Sequence, residues 1–528
     1  MTTLPDLNTL CASQLRAFTA ALFSQFTEQL QQKDQLLEQQ HQRMVDDAKT
    51  IQYKTLKIEQ LSHELAYLKR LKFSHKSEQL STLQLSLLDE GIEADLAAVE
   101  AELEALQTPL TLKPVKLQPK RQALPPHLPR IDIRHDPAHA NCSCGCSLRH
   151  IGEDVSEKLD YVPGTFQVER HVRSKWVCDH CKTLVQTPMP AHIIDKGLPT
   201  AGLLAHLLIA KYADHLPLYR QAQMFERAGL AIPSSTLSQW VGVCGLHLAP
   251  LSEALKQALL NQPVLHADET PVPMLKPGKN KTHQAYIWAY ASPNTAPIKA
   301  VYYAFSEGRS GQYVRDVLQH WQGHLVCDDY GGYKQCFKQG IIEVGCMAHA
   351  RRKFVELHEA GKSTLAEQAI ALMAQLYAVE QEGKNLPPDE RQALRQLKAK
   401  PITALLHQWL QAHVQQVPKG GVTEKAIRYS LKRWNALTRY LEDGALPIDN
   451  NWVENQMRPW ALGRKNWLFA GSLRSGQYAA NIMSLIQSAK INGLEPFAYL
   501  KDVIERLPTH KASQINELLP HNWKPFNR

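Results

Sequence analysis

Ile448-Asp449-Asn450-Asn451-Trp452-Val453-Glu454-Asn455-Gln456-Met457-Arg458-Pro459-Trp460 runs on into Ala461-Leu462-Gly463-Arg464-Lys465-Asn466-Trp467-Leu468-Phe469-Ala470-Gly471-Ser472. The pattern predicts a short helix, capped by Asp/Asn and limited by Pro459. Glu454 is the only acid between Asn450 and Lys490, an interval that holds Arg458, Arg464, Lys465, Arg474 and Lys490. On a helix, Glu454 and Arg458 are i, i+4 neighbours, and a surface ion pair is the simplest use of them. A lone carboxylate in a basic, aromatic strip flanked by glycine also suits a bound metal beside phosphate-binding cations. That use needs partner acids elsewhere in the chain.

Two such acids close apolar runs. Pro263-Val264-Leu265-His266-Ala267-Asp268-Glu269-Thr270-Pro271 reads as a buried strand ending in acids, with Asp268 and Glu269 on opposite faces because strands have period two. His324-Leu325-Val326-Cys327-Asp328-Asp329-Tyr330-Gly331-Gly332-Tyr333 repeats the device. Ala285–Tyr290, Ala300–Phe305 and Ile341–Val344 supply further strands. Two strand-end acids and a third on a later helix form the constellation that a ribonuclease-H-like sheet gathers around two divalent ions. Mg²⁺ takes oxygen ligands and keeps waters, so three carboxylates suffice. Taken singly, each Asp is equally a turn former. Cys346-Met347-Ala348-His349-Ala350-Arg351-Arg352-Lys353-Phe354 opens a basic helix. Cys346 and His349 have ligand spacing but are read as a packing pair, since no second ligand pair is close in sequence.

The totals bound the rest. At 528 residues several domains are expected. With 60 Lys and Arg against 51 Asp and Glu, the net charge of +9 favours a polyanionic partner. No apolar run is long enough to span a bilayer, and Met1–Asp6 carries no secretory pattern. Ten cysteines in a chain of this size are not a disulfide framework. Five of them matter by grouping. Cys142, Cys144 and Cys146 form a C-x-C-x-C cluster, and Cys178-Asp179-His180-Cys181 gives a C-x-x-C about thirty residues later, the pattern of a zinc ribbon or finger. The first cluster offers three candidates for two places.

Phe23, Leu30, Leu37, Met44, Ile51, Ile58 and Leu65 recur every seven residues in a stretch without Pro or Gly, which predicts a long helix with a coiled-coil seam. Leu85, Ile92, Val99 and Leu106 repeat the spacing. Residues 107–131 contain no acid, five bases and six prolines, an extended basic linker. Between Thr200 and Gly245, a helical stretch, the turn Ala228-Gly229-Leu230 and a Ser-capped helix from Pro233 have the shape of a helix-turn-helix, which ordinary helical hairpins share.

With the zipper-like start, the Cys clusters around Ile151–Asp154, Lys211–Tyr219, His266–Pro271, Cys346–Lys353 and Asp449–Ser472, essentially the whole chain resembles the large transposase of the IS66 family of bacterial insertion sequences. That resemblance implies a DDE transposase with catalytic, Mg²⁺-holding Asp268, Asp328 and Glu454 (Mn²⁺ is the substitute ion). Asp329 stands where the family commonly has Gly, and Asn455 where it frequently has Arg. The family also encodes two small accessory proteins.

The expected fold class is α/β: an RNase H-like core interrupted by a helical insertion and preceded by coiled-coil helices, a zinc module and a helical DNA-binding region. The boundaries are 1–106 for the zipper-like helices, 107–131 for the linker, 132–192 for the zinc module, 193–255 for the helix-turn-helix-like region, 256–356 and 447–507 for the two parts of the core, 357–446 for the insertion, and 508–528 for the tail. Zn²⁺ is expected on Cys142, Cys144, Cys178 and Cys181, with Cys146 possible in place of Cys142. Arg351, Arg352, Lys353, Arg458, Arg464 and Lys465 are expected to hold phosphates. The expected partners are double-stranded DNA at inverted-repeat ends and target, further copies of the chain, and accessory proteins. No membrane is involved, and the expected location is the bacterial cytoplasm near the nucleoid. A different class of function, a zinc-containing DNA-binding regulator with an inactive RNase H-like domain, would need the same basic surfaces but no convergence of acids.

Overall fold

The protein is described by a computed structural model over residues 12–73, 95–103, 124, 126, 128–136, 146, 148–162, 164–194, 197–276, 281–361 and 363–525. Leu85, Ile92, Leu106, Cys142, Cys144 and most of the basic linker lie outside these residues. The chain forms two compact units, one of Met1–Tyr67 with Glu102–Leu112 and one of Leu68–Ala101 with Lys113–Arg528.

The first unit is built on α1 (Ala12–Phe73), a helix of 62 residues. Phe23, Leu30, Leu37, Met44 and Ile51 are each more than half exposed, so the heptad seam is unburied over this length. Further along, Lys57 pairs with Glu102 at 3.3 Å. The helix α2 covers residues 95–103.

The second unit opens with a small sheet of β1 (Arg130–Arg134), β2 (Leu148–Val162), β3 (Thr165–Cys178) and β4 (Leu184–Gln186). β2 and β3 form a long antiparallel hairpin whose register shifts between His150 and Gly152. Gly164 (φ +88°) turns it, a conformation that a β-carbon would strain. Next come α3 (Ala201–Tyr212), α4 (Leu218–Arg227) and α5 (Ser234–Leu260). The turn at Gly229 forms as the sequence predicts (φ +86°), but the residue that caps α5 is Pro233, with no side-chain cap, rather than a serine.

The larger sheet is made of β5 (Val264–Met274), β6 (His283–Ala291), β7 (Val301–Ser306), β8 (His324–Cys327) and β9 (Ile342–Gly345), in the order β7-β6-β5-β8-β9. The β5–β6 and β6–β7 pairs are antiparallel, and β5–β8 and β8–β9 are parallel. Helices α6 (Gly311–Leu318) and α7 (Lys334–Lys338) connect these strands.

Both faces are covered, and the period-two alternation of the strands sorts the side chains between two cores. Leu265, Ala267, Leu325 and Cys327 enter one core with α5, α14 (Asn451–Trp467), α15 (Leu473–Ile491) and α16 (Pro496–Arg506). Val264, Val326 and Val344 enter the other with α8 (Met347–Gly361), α9 (Thr364–Glu382), α11 (Lys400–Val414), α12 (Val422–Lys432) and α13 (Trp434–Thr438). α10 (Pro388–Leu394) runs into α11 through a π-helical turn at Arg395–Ala399, where buried Arg395 bonds Glu380 and the carbonyls of Tyr440, Asp443 and Leu446. The expected tail also packs: Leu518 and Leu519 are buried, and Trp523 donates to Asp502 at 2.7 Å. Among the described residues no helix is long and apolar enough to cross a membrane.

α14 corrects the expectation that Pro459 limits its helix. It continues for 17 residues through Pro459. Proline removes one amide, but Val453, Met457, Trp460, Gly463 and Trp467 are buried at helical spacing, and that burial outweighs the lost bond. Gly463 is required by the close approach of Trp467, whose Nε1 would lie 2.5 Å from an added β-carbon.

Candidate active site

β5 and β8 run parallel, with His266 opposite Val326. Asp268 and Asp328 each lie two residues further along, so both sit on the face that carries Val264 and Val326: Asp328 just past the end of β8, and Asp268 in the middle of β5, which does not end at its acids as expected but stays paired with β6 as far as Met274. Glu269 leaves the other way. Its carboxylate accepts from Arg309 (Nε 2.9 Å, Nη2 2.5 Å) and from Tyr333 Oη at 2.7 Å. Burial nonetheless pushes its pKa up.

Asp268 has no comparable cation among the described residues. Burial, then the charges of Glu269, Glu454 and Asp328, push its carboxyl from 3.8 up to about 8. Glu454 of α14 and Asp328 therefore both act on Asp268. Asp328 accepts the Tyr330 amide at 2.9 Å, the turn role of Asp, while still facing Asp268. Asp329 is spent elsewhere, on Lys334 (2.7 Å) and Arg433 (3.4 Å).

Glu454 is positioned by the start of α14. Asn450 is fully buried and does not cap the helix with its side chain. Its Oδ1 meets His266 Nδ1 at 2.9 Å, and its Nδ2 donates to Ala267 O at 2.9 Å. Its backbone amide donates to Cys346 Sγ at 3.1 Å. One side chain thus ties the residue pair before Asp268 to the helix that carries Glu454. Asp449 closes the preceding turn by accepting from the Asn451 amide (3.0 Å) and from Tyr377 Oη (3.0 Å). Asn450→Ala would strand His266 Nδ1 and Ala267 O, and is expected to cost about 2–4 kcal/mol. Urea unfolding followed by tryptophan fluorescence measures it, and a midpoint unchanged from the parent would refute the tie.

The Glu454 carboxylate turns toward α8 rather than toward Arg458. Arg352 Nη2 lies 3.4 Å from Oε2 and His349 Nδ1 3.7 Å from Oε1. Neither distance to His349 nor any other contact gives Glu454 Oε1 a hydrogen bond, although it is buried, and His349 Nδ1 is likewise orphaned. Burial lowers the His349 pKa, with Glu454 opposing the shift. Cys346 Sγ, a ring nitrogen of His349 and a Glu454 oxygen lie within 4.8 Å of one another. The expected packing pair is thus joined by a third donor from more than a hundred residues away. The C-x-x-H spacing was the only sequence signal of it.

The donor set of Asp268, Asp328 and Glu454 fits a hard divalent ion: all ligands are oxygens, Asp268 lacks a cation, and Glu454 keeps an unpaired buried oxygen. The basic residues divide. Arg458, Lys465 and Arg352 are exposed, and Arg351 and Arg352 line an open groove with Tyr377 and Asn451. Lys353 Nζ lies 4.5 Å from the centre of the Tyr429 ring. Arg464 is committed inward, donating to Pro271 O (2.6 Å) and Thr270 Oγ1 (3.2 Å).

In the cysteine module, Cys146 and Trp176 pack against Leu148 and Cys178. The Cys181 amide points to Cys178 Sγ at 3.5 Å, the amide-to-sulfur geometry of a C-x-x-C turn. Cys178 is buried and Cys181 exposed.

The family described as "Transposase IS66 family" matches residues 196–478. The IS66 C-terminal element matches 484–521, the "zinc-finger binding domain of transposase IS66" matches 140–182, and "Transposase C of IS166 homeodomain" matches 60–133. Among relatives, uncharacterized protein y4jD of Sinorhizobium fredii is 36% identical over 496 residues, covering 88% of this chain and 96% of its own. Uncharacterized protein y4qI of the same organism is 36% identical, covering 89% of this chain and 90% of its own.

Proposed function

Since the chain belongs to the IS66 transposase family, we propose that it is a DDE transposase, cleaving DNA at insertion-sequence ends and joining the freed ends to target DNA. The observation that carries the reading is the parallel register of β5 and β8, which sets Asp268 and Asp328 on one face, with the Asp268 carboxyl pushed up first by burial and then by the charges of Glu269, Glu454 and Asp328. A buried carboxylate that feels three other acids and pairs with no cation among the described residues suits a divalent ion. The five-stranded order supports an RNase H-like core, and the parallel pairing of β5 with β8 sets Asp268 beside the end of β8 that leads into Asp328.

Asp268, Asp328 and Glu454 would hold two Mg²⁺ or Mn²⁺ ions. When bound, such a pair activates the attacking oxygen and steadies the leaving oxygen of an in-line phosphoryl displacement. The chain's own residues do the positioning. Asn450 fixes α14 against β5, and the Tyr330 amide orients Asp328. Arg351, Arg352, Arg458 and Lys465 supply positive charge to a DNA strand, and Lys353 lies beside them on α8. Arg464 serves instead as a brace between α14 and the end of β5. The zinc module 132–192 and the helical region 193–255 would read the inverted repeats. The exposed seam of α1 would pair protomers, since a row of apolar side chains left in water at this spacing suits a second helix.

The test is cleavage and strand transfer on the flanking inverted repeats. Activity with Mg²⁺ and none with chelator is expected. Sequence-specific binding without metal-dependent cleavage would instead favour a DNA-binding regulator.

A further inference from the structure

The cysteine module carries one C-x-x-C turn. A second turn with the same internal geometry opens α8. In Cys178–Cys181 the amide three residues on points to the first sulfur at 3.5 Å. In Cys346–His349 the His349 amide does the same to Cys346 Sγ, and the Asn450 amide adds a second bond at 3.1 Å. Burial pushes the Cys346 thiol up to about 12, and the two amides offset only part of that, so the sulfur would become a thiolate ligand only with a bound cation beside it.

The other donors converge on this sulfur. His349 Nδ1 and Glu454 Oε1 are buried, lack hydrogen bonds and face each other at 3.7 Å. Tetrahedral zinc, with Zn–N and Zn–O near 2.0–2.2 Å, would set them about 3.4 Å apart. Two orphaned polar atoms facing each other are costly unless something sits between them.

We propose that Cys346 Sγ, His349 Nδ1 and Glu454 Oε1 form a second metal site, taking a borderline-soft divalent ion of the Zn²⁺ class. A thiolate and an imidazole select zinc over magnesium, whereas the acids of β5 and β8 select the reverse. Coordination removes the thiol proton outright, so the ion displaces one proton from Cys346. The third protein ligand is one oxygen of Glu454, Oε1, while Oε2 keeps its contact with Arg352 Nη2 at 3.4 Å. Three protein ligands leave a fourth position open to water. The site would pin the helix of the third acid to α8 and fix its carboxylate rotamer.

The proposal rests on where Glu454 lies and not on its part in cleavage, so its test uses no DNA. Full-length protein is stripped of metal, titrated with Zn²⁺ under reducing conditions, desalted and analysed for zinc. About two ions per chain are expected, one from each cluster. Cys346→Ser and His349→Gln should each lower this to about one, as should Cys178→Ser, and Cys346→Ser with Cys178→Ser should bind none. In the Cys178→Ser background, Co²⁺ should give a thiolate charge-transfer band that Cys346→Ser abolishes. Circular dichroism checks the fold of each variant, and His349→Gln stands in if Cys346→Ser does not fold. Unchanged zinc content in both Cys346→Ser and His349→Gln, or a cobalt band that survives Cys346→Ser, would overturn the site. An unsubstituted chain that binds about two zinc ions but does not cleave DNA would leave the site standing and remove the cleavage reading, and an unsubstituted chain that binds one zinc ion and cleaves would remove the site alone.

Discussion

Glu454→Gln is expected to lower Mg²⁺-dependent cleavage of the insertion-sequence ends by about a thousandfold or more, with binding to those ends kept. Glutamine has the same shape, so α14 and its packing on β5 should stay in place. What goes is one of the charges that bring Asp268 up to about 8, and with it an ionic ligand to the proposed metal pair. A lost ligand of this kind costs several kcal/mol of transition-state stabilisation, and about 4 kcal/mol corresponds to a thousandfold at 1.36 kcal/mol per tenfold. Binding should hold or tighten slightly, because the change removes a negative charge beside exposed Arg352 and Arg458. Single-turnover cleavage and a gel-shift titration on the same substrate separate the two effects. Cleavage within tenfold of the parent would remove Glu454 from the proposed site.

The parts of this site that were legible in the sequence are the ones with local signatures. Asp268 and Asp328 each close an apolar run, and strand periodicity separates Asp268 from Glu269. The partners of Glu269, Arg309 and Tyr333, come from a later connection, and nothing in the strand itself names them. The basic strip around Glu454 was visible, but the i, i+4 rule suggested Arg458 as its partner. Tertiary packing instead brings Arg352 and His349 from α8, since α14 presents its first turn to that helix. Pro459 misled for a related reason. Local rules count the missing amide, while Trp460 and Trp467 count the buried surface. Asn450 looked like a cap because Asn is a good one, but its side-chain amide is worth more between the buried His266 ring and the Ala267 carbonyl than on a solvated helix end. Arg464 could not be told from its exposed neighbours Arg458 and Lys465 by sequence, because only the fold shows Pro271 O within reach.

Asp268→Asn is expected to make the metal-free protein more stable at pH 8, and less responsive to magnesium. The carboxyl of Asp268 rises from 3.8 to about 8 on folding, mainly through burial and then through Glu269, Glu454 and Asp328. Between those two values the folded chain holds a proton there that the unfolded chain has released. More protons bound in the folded state means that stability falls as pH rises. The contribution is therefore complete below about pH 4 and is lost as pH climbs through about 8. A gap of about four units at 1.36 kcal/mol each sets the scale at roughly 5 kcal/mol, and about 2–5 kcal/mol is expected to be regained by a neutral asparagine. The gain should shrink toward zero at pH 4, where wild-type Asp268 is itself protonated. Added Mg²⁺ should reverse the order at pH 8, because it binds the ionised wild-type carboxylate and stabilises the folded chain by mass action, whereas the asparagine variant offers a weaker ligand. Thermal unfolding of both proteins in chelator and in Mg²⁺, at pH 4 and pH 8, gives the four comparisons. Should Asp268→Asn melt no higher than the parent at pH 8 in chelator, the carboxylates are not crowded together, and the metal-binding cluster built on Asp268, Asp328 and Glu454 loses its physical basis.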